Sequence, residues 1–281
     1  MPVVYSKLAR DKSPDRPDEW QYFGSRLVEL VGVPAGNTVL DVGTGPGSVL
    51  LPAAKMTGDQ GQAIGIDIDF DWFRFITPKI QDQNLNSVSF AHMDVGQLGF
   101  EEDTFDRVFC GNLGWDYCFD FWQMEFTGPD IRMAEIARVL KPGGRLGISS
   151  WAGREDIDWF GAHFKMYFPE FTAEWEDKEG KLFRVYRENT EAYRMILEEG
   201  GFQDIDVILD TEVFVSKDEE EWWGQVWGSF WWQYIDPVEK SNPEKMNRFK
   251  EIIFDELDQF KYYDGIRMNK TAVFALGTNR K

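Results

Sequence analysis

Short apolar runs alternate with helix-like segments along the first 150 residues. Trp20, Phe23 and Leu27 fall on one helical face, which predicts a helix over residues 17–31. Five apolar runs predict buried strands at 38–42, 62–68, 88–93, 104–110 and 145–150. The segments between them predict helices at 48–56, 70–83 and 129–140. Strands and helices that alternate at this spacing are typical of an α/β fold with a doubly wound parallel sheet.

The second half of the chain has a less regular pattern. Residues 151–187 are rich in aromatic and charged side chains without a clean period. Beyond them the pattern predicts a helix from Thr190 to the Gly200-Gly201 pair, and further elements follow at 205–214 (strand), 219–234 and 243–260 (helices) and 270–277 (strand). We therefore predict seven strands, mostly parallel, in one sheet.

The predicted organisation is a single domain over residues 1–281. Its core is expected at about 17–150 and 188–281, and cover insertions are expected at about 111–128, 151–187 and 217–263. Residues 1–16 are polar, carry two prolines and are expected to form a loosely ordered arm.

A glycine-rich turn connects the first predicted strand to its helix. Gly43, Gly45 and Gly47 occupy alternate positions there. Without a Cβ, glycine adopts positive φ and lets a ligand lie against the backbone. Such a turn at the carboxyl end of a strand lies where open α/β sheets bind ligands. By itself the turn is also compatible with a tight connection that binds nothing.

Composition narrows the class of protein. The chain of 281 residues has 49 acidic and 30 basic side chains and a net charge of −19, a sign that repels nucleic acid and anionic membranes. No apolar stretch is long enough to span a bilayer and the N-terminus is charged, so we expect a cytoplasmic protein. Cys110 and Cys118 form no metal-ligand pattern, and no metal site is expected.

Several motifs in order resemble those of class I S-adenosylmethionine-dependent methyltransferases of the small-molecule type. VLDVGTGPG resembles the first motif of that family, and IGIDID resembles its second-strand acidic motif. AHMDVGQLGFEEDTFDRVFC and EIARVLKPGGRLGISSW resemble the segments through strands three to five. The match is close over about residues 37–151 and looser afterwards. The resemblance implies a Rossmann-like fold and S-adenosyl-L-methionine as cofactor.

The resemblance also implies roles for particular residues. The backbone of Gly43, Thr44 and Gly45 should face the methionine part of the cofactor, and Asp41 should orient that turn. Asp67 should accept hydrogen bonds from both ribose hydroxyls, which one carboxylate can do. Asp94 and the backbone of Val95 should address the adenine edge, and Asn112 should lie near the methyl-transfer centre. Ile68 is also implied for cofactor binding.

A nicotinamide-dependent dehydrogenase is the competing class, because its turn is also glycine-rich and followed by a distal acidic residue. A dinucleotide fingerprint needs Gly or Ala at position 48, where this chain has Ser48, and Gly47 comes one place early. The spacing therefore disfavours a dinucleotide.

Candidate residues for the methyl acceptor come from two predicted cover insertions. Asp116 and Tyr117 follow strand four and are candidates for polar contacts, with core packing as the alternative. His163 is the candidate general base, with a structural histidine as the alternative. His92, inside the third predicted strand, is expected to be a packed or edge residue. Trp223, Trp227 and Trp231 are spaced four apart, which predicts one helical stripe that packs or lines a pocket.

Three functions remain open at this point. The first is methyl transfer to a small, aromatic or lipophilic acceptor, which the aromatic cover favours. The second is methylation of a protein or peptide side chain, and the third is binding of the cofactor without catalysis. The sequence leaves the oligomeric state open, a homodimer included.

Overall fold

The computed structural model describes residues 18–172, 189–229 and 231–281, without the side chains of residues 171 and 172. The predicted arm at 1–16 and the second half of the insertion at 151–187 lie outside these residues. Among the described residues, no helix combines the length and the apolar character that crossing a bilayer requires.

Over residues 18–154, strands and helices alternate as predicted, apart from an added two-stranded hairpin after the fourth strand. The described strands are β1 (Thr38–Val42), β2 (Gln62–Asp67), β3 (Val88–His92), β4 (Phe105–Gly111), β5 (Phe119–Asp120), β6 (Glu125–Phe126), β7 (Leu140–Arg154), β8 (Phe202–Ser216), β9 (Lys261–Tyr262) and β10 (Gly265–Asn279). The described helices are α1 (Glu19–Val31), α2 (Leu50–Thr57), α3 (Trp72–Asp82), α4 (Ile131–Val139), α5 (Glu155–Tyr167), α6 (Pro169–Thr172), α7 (Thr190–Glu199), α8 (Glu219–Trp227), α9 (Trp232–Ser241) and α10 (Pro243–Glu256), and a 3-10 turn follows at Leu257–Phe260.

The main sheet has the strand order β3-β2-β1-β4-β7-β10-β8, and β9 adds to it by pairing with β10. The pairs β2–β3, β1–β2, β1–β4 and β4–β7 are parallel. The seven-stranded, mostly parallel fold is therefore confirmed. The chain winds outward in one direction from β1 to β3 and then returns to place β4 on the other side of β1. Ligands of doubly wound sheets bind at such a switch point, at the carboxyl ends of the strands.

Local sequence signals explain where several helices begin and end. Asp18 caps α1 by accepting the amide of Gln21, and Gly58 ends α2 at a positive φ that glycine adopts without strain. The pattern over 219–234 predicted one helix, but the structure has two, because α8 ends at Gly228 and α9 begins at Trp232. Trp231 therefore lies outside α8, and the three tryptophans do not form one helical stripe.

Two other predictions differ in extent. The fifth strand was predicted at 145–150, whereas β7 begins at Leu140 and includes the KPGG segment, with Gly143 at φ 74°. The helix predicted near Pro78 continues through that residue within α3. A helix was not predicted at Glu155–Tyr167, where α5 is found.

The described chain forms two compact units. The larger unit contains residues 18–152, 189–210 and 272–281, and the smaller unit contains residues 153–172 and 211–271 apart from residue 230. The core of the larger unit is built from sheet residues such as Leu40, Val108 and Ile148. The core of the smaller unit is largely aromatic and includes Phe160, Trp222 and Phe249. The prediction of a single domain stays a prediction.

Candidate functional site

The backbone amides of the glycine-rich turn after β1 donate hydrogen bonds to other groups of the protein. The amides of Gly43 and Thr44 both donate to the carbonyl of Ile66, each at 2.9 Å. The amide of Gly45 donates to Oδ2 of Asp67 at 2.9 Å. All three N–H groups therefore already have partners, and the carbonyl oxygens of the turn are the backbone groups that can serve a ligand with N–H donors.

Asp67 stands at the end of β2, beside this turn. Its Oδ2 accepts the Gly45 amide and its Oδ1 accepts the Asp69 amide, both at 2.9 Å. Two amides fix the carboxylate in one orientation. Each carboxylate oxygen accepts more than one hydrogen bond, so both oxygens keep capacity for the two hydroxyls of a ribose.

Asp41, the fourth residue of β1, is buried beneath the turn. Its Oδ2 accepts the Thr44 hydroxyl at 2.8 Å, and the carboxyl group also accepts the Leu50 amide. Burial raises the pKa of Asp41 to about 7, and the charge of Asp67 acts in the same direction. The side chain thus ties the start of the turn to the start of α2, and its role in orienting a bound cofactor stays a prediction.

Close packing restricts the turn to its present path. A Cβ on Gly47 would lie 2.2 Å from Cδ1 of Ile76, and Gly47 has a φ of 86°. A Cβ on Gly65, in β2, would lie 2.7 Å from Leu50 and 2.9 Å from the Thr44 hydroxyl. The sequence analysis did not single out Gly65, although a glycine inside an apolar strand indicates a close approach of another segment.

Ile68, Asp94 and Val95, which are predicted for cofactor binding, lie after β2 and β3. Ile68 directly follows Asp67 and is 68% exposed, which is unusual for a large apolar side chain next to a buried strand. Asp94 is exposed, and its Oδ1 accepts the amide of Gly96 at 2.8 Å. The side chain of Val95 is buried in the core of the larger unit.

Asn112 begins the segment that follows β4, the strand beside β1. Its amide donates to the carbonyl of Ser149 at 2.8 Å, and its backbone has a φ of 54°. Next to it, Cδ1 of Leu113 lies 3.0 Å from the position that a Cβ on Gly43 would occupy. The segment after β4 therefore begins in contact with the glycine-rich turn.

The same segment continues into an aromatic hairpin whose side chains converge on Asp130. Trp115 Nε1 donates to Oδ2 of Asp130 at 2.6 Å, and the Tyr117 hydroxyl donates to Oδ1. The Arg132 guanidinium lies 3.9 Å from the centre of the Tyr117 ring. Asp116, between the two aromatic residues, is exposed. Sequence reasoning missed Asp130, although an Asp directly before a helix is a capping signal.

His163 lies on α5 in the smaller unit. Its Nδ1 is 2.8 Å from the carbonyl of Trp159 and its Nε2 is 2.7 Å from Oε2 of Glu256. Both ring nitrogens of His163 therefore contact acceptor groups within the smaller unit. To take up a proton from a substrate, His163 would first have to lose one of these two contacts.

Other features of the described residues limit the chemistry. Both cysteines are buried free thiols. Over residues 18–172, 189–229 and 231–281, no group of three or more His, Cys, Asp or Glu side chains could hold a metal ion. His92 contacts the carbonyl of Ile68 at 2.8 Å through Nε2, at the end of β3.

The segment that contains the glycine-rich turn matches a known protein family. Residues 39–144 match the family model described as a methyltransferase domain. The match covers β1 through the first part of β7, and it falls within the stretch whose motifs resemble the class I enzymes.

Curated relatives align with the same half of the chain. A ubiquinone/menaquinone biosynthesis C-methyltransferase (UbiE) of Teredinibacter turnerae is 34% identical over 128 residues, which cover 45% of this chain and 47% of that protein. The UbiE protein of Pseudomonas paraeruginosa is 31% identical over 128 residues, which cover 45% of each chain. The chain spans about half the length of the curated relatives it matches.

Solved structures resemble a larger part of the chain. YcgJ of Bacillus subtilis aligns over 92% of this chain and 99% of its own with a TM-score of 0.53 and 17% identity. Phosphoethanolamine N-methyltransferase 2 of Haemonchus contortus, solved with S-adenosyl-L-methionine, aligns over 92% of this chain and 53% of its own with a TM-score of 0.50 and 19% identity. At these identities the likeness shows the fold.

Proposed function

Because this chain carries a class I S-adenosylmethionine-dependent methyltransferase domain, we propose that it transfers the methyl group of S-adenosyl-L-methionine to a small molecule. The observation that carries the proposal is the pairing of the glycine-rich turn with Asp67 at the switch point of the sheet. The methyl acceptor is proposed to be aromatic or lipophilic.

The residues of the turn suit the chemical groups of this cofactor. Its ammonium group is a donor, and the amides of Gly43, Thr44 and Gly45 are already used, so carbonyl oxygens are the backbone partners on offer. The fixed carboxylate of Asp67 suits a ribose diol. The exposed Ile68 offers an apolar surface to the adenine ring.

The geometry also agrees with a cofactor that has no pyrophosphate. A dinucleotide needs free amides at the start of the helix after the turn, because its pyrophosphate is an anion. Here α2 begins at Leu50, whose amide donates to the buried Asp41, and the amides of Gly43, Thr44 and Gly45 in the turn before it donate to Ile66 and Asp67. The turn is therefore better suited to a cationic ligand than to an anionic one.

When bound, the cofactor supplies an electrophilic methyl group on a sulfonium. The protein contributes mainly by holding the methyl acceptor in line with it, which can lower the barrier by about 7 to 11 kcal/mol. Asn112 and the aromatic segment after β4 are proposed to do this, together with Asp116 and Tyr117. His163 is proposed as the base for methyl acceptors that must lose a proton, and Glu256 would then be the partner that it leaves.

The chemistry of the methyl acceptor is proposed from two observations. Tyr117, in the segment after β4, is 39% exposed, and Trp122, between β5 and β6, is 44% exposed; exposed aromatic side chains suit a flat or apolar ring. The curated relatives carry names that refer to ubiquinone and menaquinone biosynthesis. A ring of phenol or quinol type satisfies both.

A methyl-transfer screen tests the proposal. Wild-type protein and the Asp67→Ala variant are incubated with isotopically labelled S-adenosyl-L-methionine and separate sets of phenols, amines, prenyl-type lipids and peptides. We expect label in at least one phenol or lipid for the wild type, and at least about fivefold less for the variant at limiting cofactor. Transfer to peptides alone would favour a protein methyltransferase, and binding of cofactor without any transfer would favour a non-catalytic role.

A further inference from the structure

Asp130 has three hydrogen-bond donors on one carboxylate. Its Oδ1 accepts the amide of Met133 at 2.8 Å and so caps α4. The Tyr117 hydroxyl also donates to Oδ1, and Trp115 Nε1 donates to Oδ2 at 2.6 Å. A helix cap needs only the first of these bonds. The other two join the start of α4 to the aromatic segment after β4.

The bond to Asp130 determines what Tyr117 can offer a ligand. A phenol has a single O–H, and here that O–H is committed to the carboxylate. Burial and the adjacent Asp130 raise the pKa of Tyr117 well above its usual range, so the hydroxyl keeps its proton. The neighbouring Cys118 thiol, a weak donor, lies 3.7 Å from the carbonyl of Trp115. Tyr117 therefore presents the lone pairs of its oxygen, and not a proton, to a molecule that approaches it.

The ring of Tyr117 is held as well as its hydroxyl. Arg132 covers the ring face at 3.9 Å. Its Nη1 also lies 3.5 Å from the carbonyl of Gly114, two residues before the Asp116–Tyr117 pair. A cation on the face of the ring and a carboxylate at its hydroxyl together fix the orientation of the ring and of its oxygen.

This cluster borders the proposed site. Leu113, two residues before Trp115, contacts the glycine-rich turn at Gly43. Ile131 directly follows Asp130. It lies 4.0 Å from the position that a Cβ on Gly96 would occupy, and Gly96 belongs to the loop that contains Asp94. Asp130 is thus close to the segment after β4, which is predicted to contact the methyl acceptor. Its neighbours in turn contact the glycine-rich turn and the Asp94 loop, which are predicted to contact the cofactor.

We propose that Asp130 is a positioning residue that turns Tyr117 into a hydrogen-bond acceptor, so that the site selects methyl acceptors with an O–H or N–H group and disfavours ethers and quinones. The inference rests on the proposed function and narrows its substrate class. If Asp130 served only to cap α4, its replacement would change stability without changing this preference.

The test compares matched ligands in the presence of S-adenosylhomocysteine. The pairs are phenol and anisole, 1-naphthol and 1-methoxynaphthalene, and indole and N-methylindole, and binding is followed by tryptophan fluorescence. For the wild type we expect the donor-bearing member of a pair to bind about fivefold more tightly, as one hydrogen bond would give. In Tyr117→Phe the two members should bind equally.

Two Asp→Asn variants separate positioning from stability. In Asp130→Asn a neutral amide replaces the carboxylate and one of its two acceptor positions becomes a donor, so the Tyr117 proton is held less firmly and the preference should fall. Asp120→Asn is the matched control, because Asp120 accepts the amides of Trp122 and Gln123 within the same hairpin; it should keep the wild-type preference. Calorimetry with S-adenosylhomocysteine shows that each variant is folded.

The outcomes distinguish this inference from the proposed function. A wild type that does not bind S-adenosylhomocysteine contradicts the proposed function itself. A wild type that binds it, but shows equal affinity within every pair or binds none of the six compounds, overturns the role of Asp130 and Tyr117 alone. A preference that survives in Tyr117→Phe overturns it as well.

Discussion

The amide of Gly45 donates to Oδ2 of Asp67 at 2.9 Å and so joins the turn after β1 to the end of β2. The second oxygen of Asp67 accepts the Asp69 amide at the same distance. The proposed cofactor contacts of the first two strands are therefore held in one arrangement by the protein itself. Preorganisation of this kind lowers the entropy that binding would otherwise cost.

Replacement of Asp67 by Ala is expected to weaken cofactor binding by at least about 1 kcal/mol, because charge-assisted hydrogen bonds to the ribose are lost and Gly45 loses its partner. Isothermal titration with S-adenosyl-L-methionine measures the change. Asp71→Ala is the control, since Asp71 is an exposed residue paired with Arg74. Equal losses in the two variants would remove Asp67 from the site.

Two glycines with positive φ, Gly47 in the turn and Gly58 at the end of α2, should tolerate a methyl group unequally. Gly47→Ala places a Cβ 2.2 Å from Ile76 at a φ of 86°, whereas Gly58→Ala places a Cβ in open space at a φ of 65°. Both variants carry backbone strain of about 1 kcal/mol or more, and Gly47→Ala adds about 1 to 3 kcal/mol of overpacking. Urea denaturation measures the difference. Equal destabilisation would show that Ile76 moves aside freely.

The pKa of Asp41 predicts a pH dependence of stability. Because burial raises this pKa to about 7, the folded state binds a proton that the unfolded state releases near its pKa of 3.8. The contribution of Asp41 to the free energy of unfolding therefore falls as pH rises from about 4 to about 7, by up to about 4 kcal/mol. The variant Asp41→Asn should lack this decrease in the free energy of unfolding.

Denaturation curves of the wild type and Asp41→Asn at pH 5 and pH 8 check this prediction. As pH increases from 5 to 8, the free energy of unfolding of the variant should increase relative to that of the wild type. A constant difference between the two proteins would show that Asp41 is ionised in the folded state at both pH values.

A buried charge cluster is expected to stabilise the smaller unit. Asp156 contacts Arg154 at 2.7 Å and Lys270 at 3.3 Å, and all three side chains are largely buried. Removal of the carboxylate in Asp156→Asn leaves two buried cations and should cost about 3 to 5 kcal/mol at pH 7. Asp158→Asn, on the exposed face of the same helix, should cost less than about 0.5 kcal/mol.

The pH dependence of this cluster has the opposite sign to that of Asp41. Burial alone would raise the pKa of Asp156, but the charges of Arg154 and Lys270 hold it well below its usual range. Its stabilising effect is thus present above the unfolded pKa of about 3.9 and is lost as pH falls below that value. The cost of Asp156→Asn, followed by tryptophan fluorescence, should be smaller at pH 3 than at pH 7. A larger cost at pH 3 would contradict the assignment.

Sequence patterns predicted β1 to β4 well, because each is a short apolar run bounded by glycine or an acidic residue, whereas the short strands β5 and β6 were not predicted. The first strand was predicted at 38–42 and is found at Thr38–Val42. The pattern did not predict α5, although Ile157, Phe160 and Phe164 are buried at helical spacing. The buried carboxylate of Asp156 explains the failure, since a charged residue in an apolar pattern is interpreted as exposed.

The candidate site was predictable only in part. Asp41, Asp67 and Asp94 stand in or directly after successive strands, so their common edge follows from a parallel sheet. The bonds that the turn makes to Ile66 and Asp67 depend on the register between β1 and β2, which no local pattern gives. Likewise, Asp130 meets Trp115 and Tyr117 only because the hairpin folds back on α4.

Calorimetric titration of the wild-type protein with S-adenosyl-L-methionine, and separately with NAD, tests the central claim most directly. The account predicts saturable binding of S-adenosyl-L-methionine, weakened by at least about fivefold in Asp67→Ala, and no comparable binding of NAD. Tight binding of NAD with none of S-adenosyl-L-methionine would contradict it.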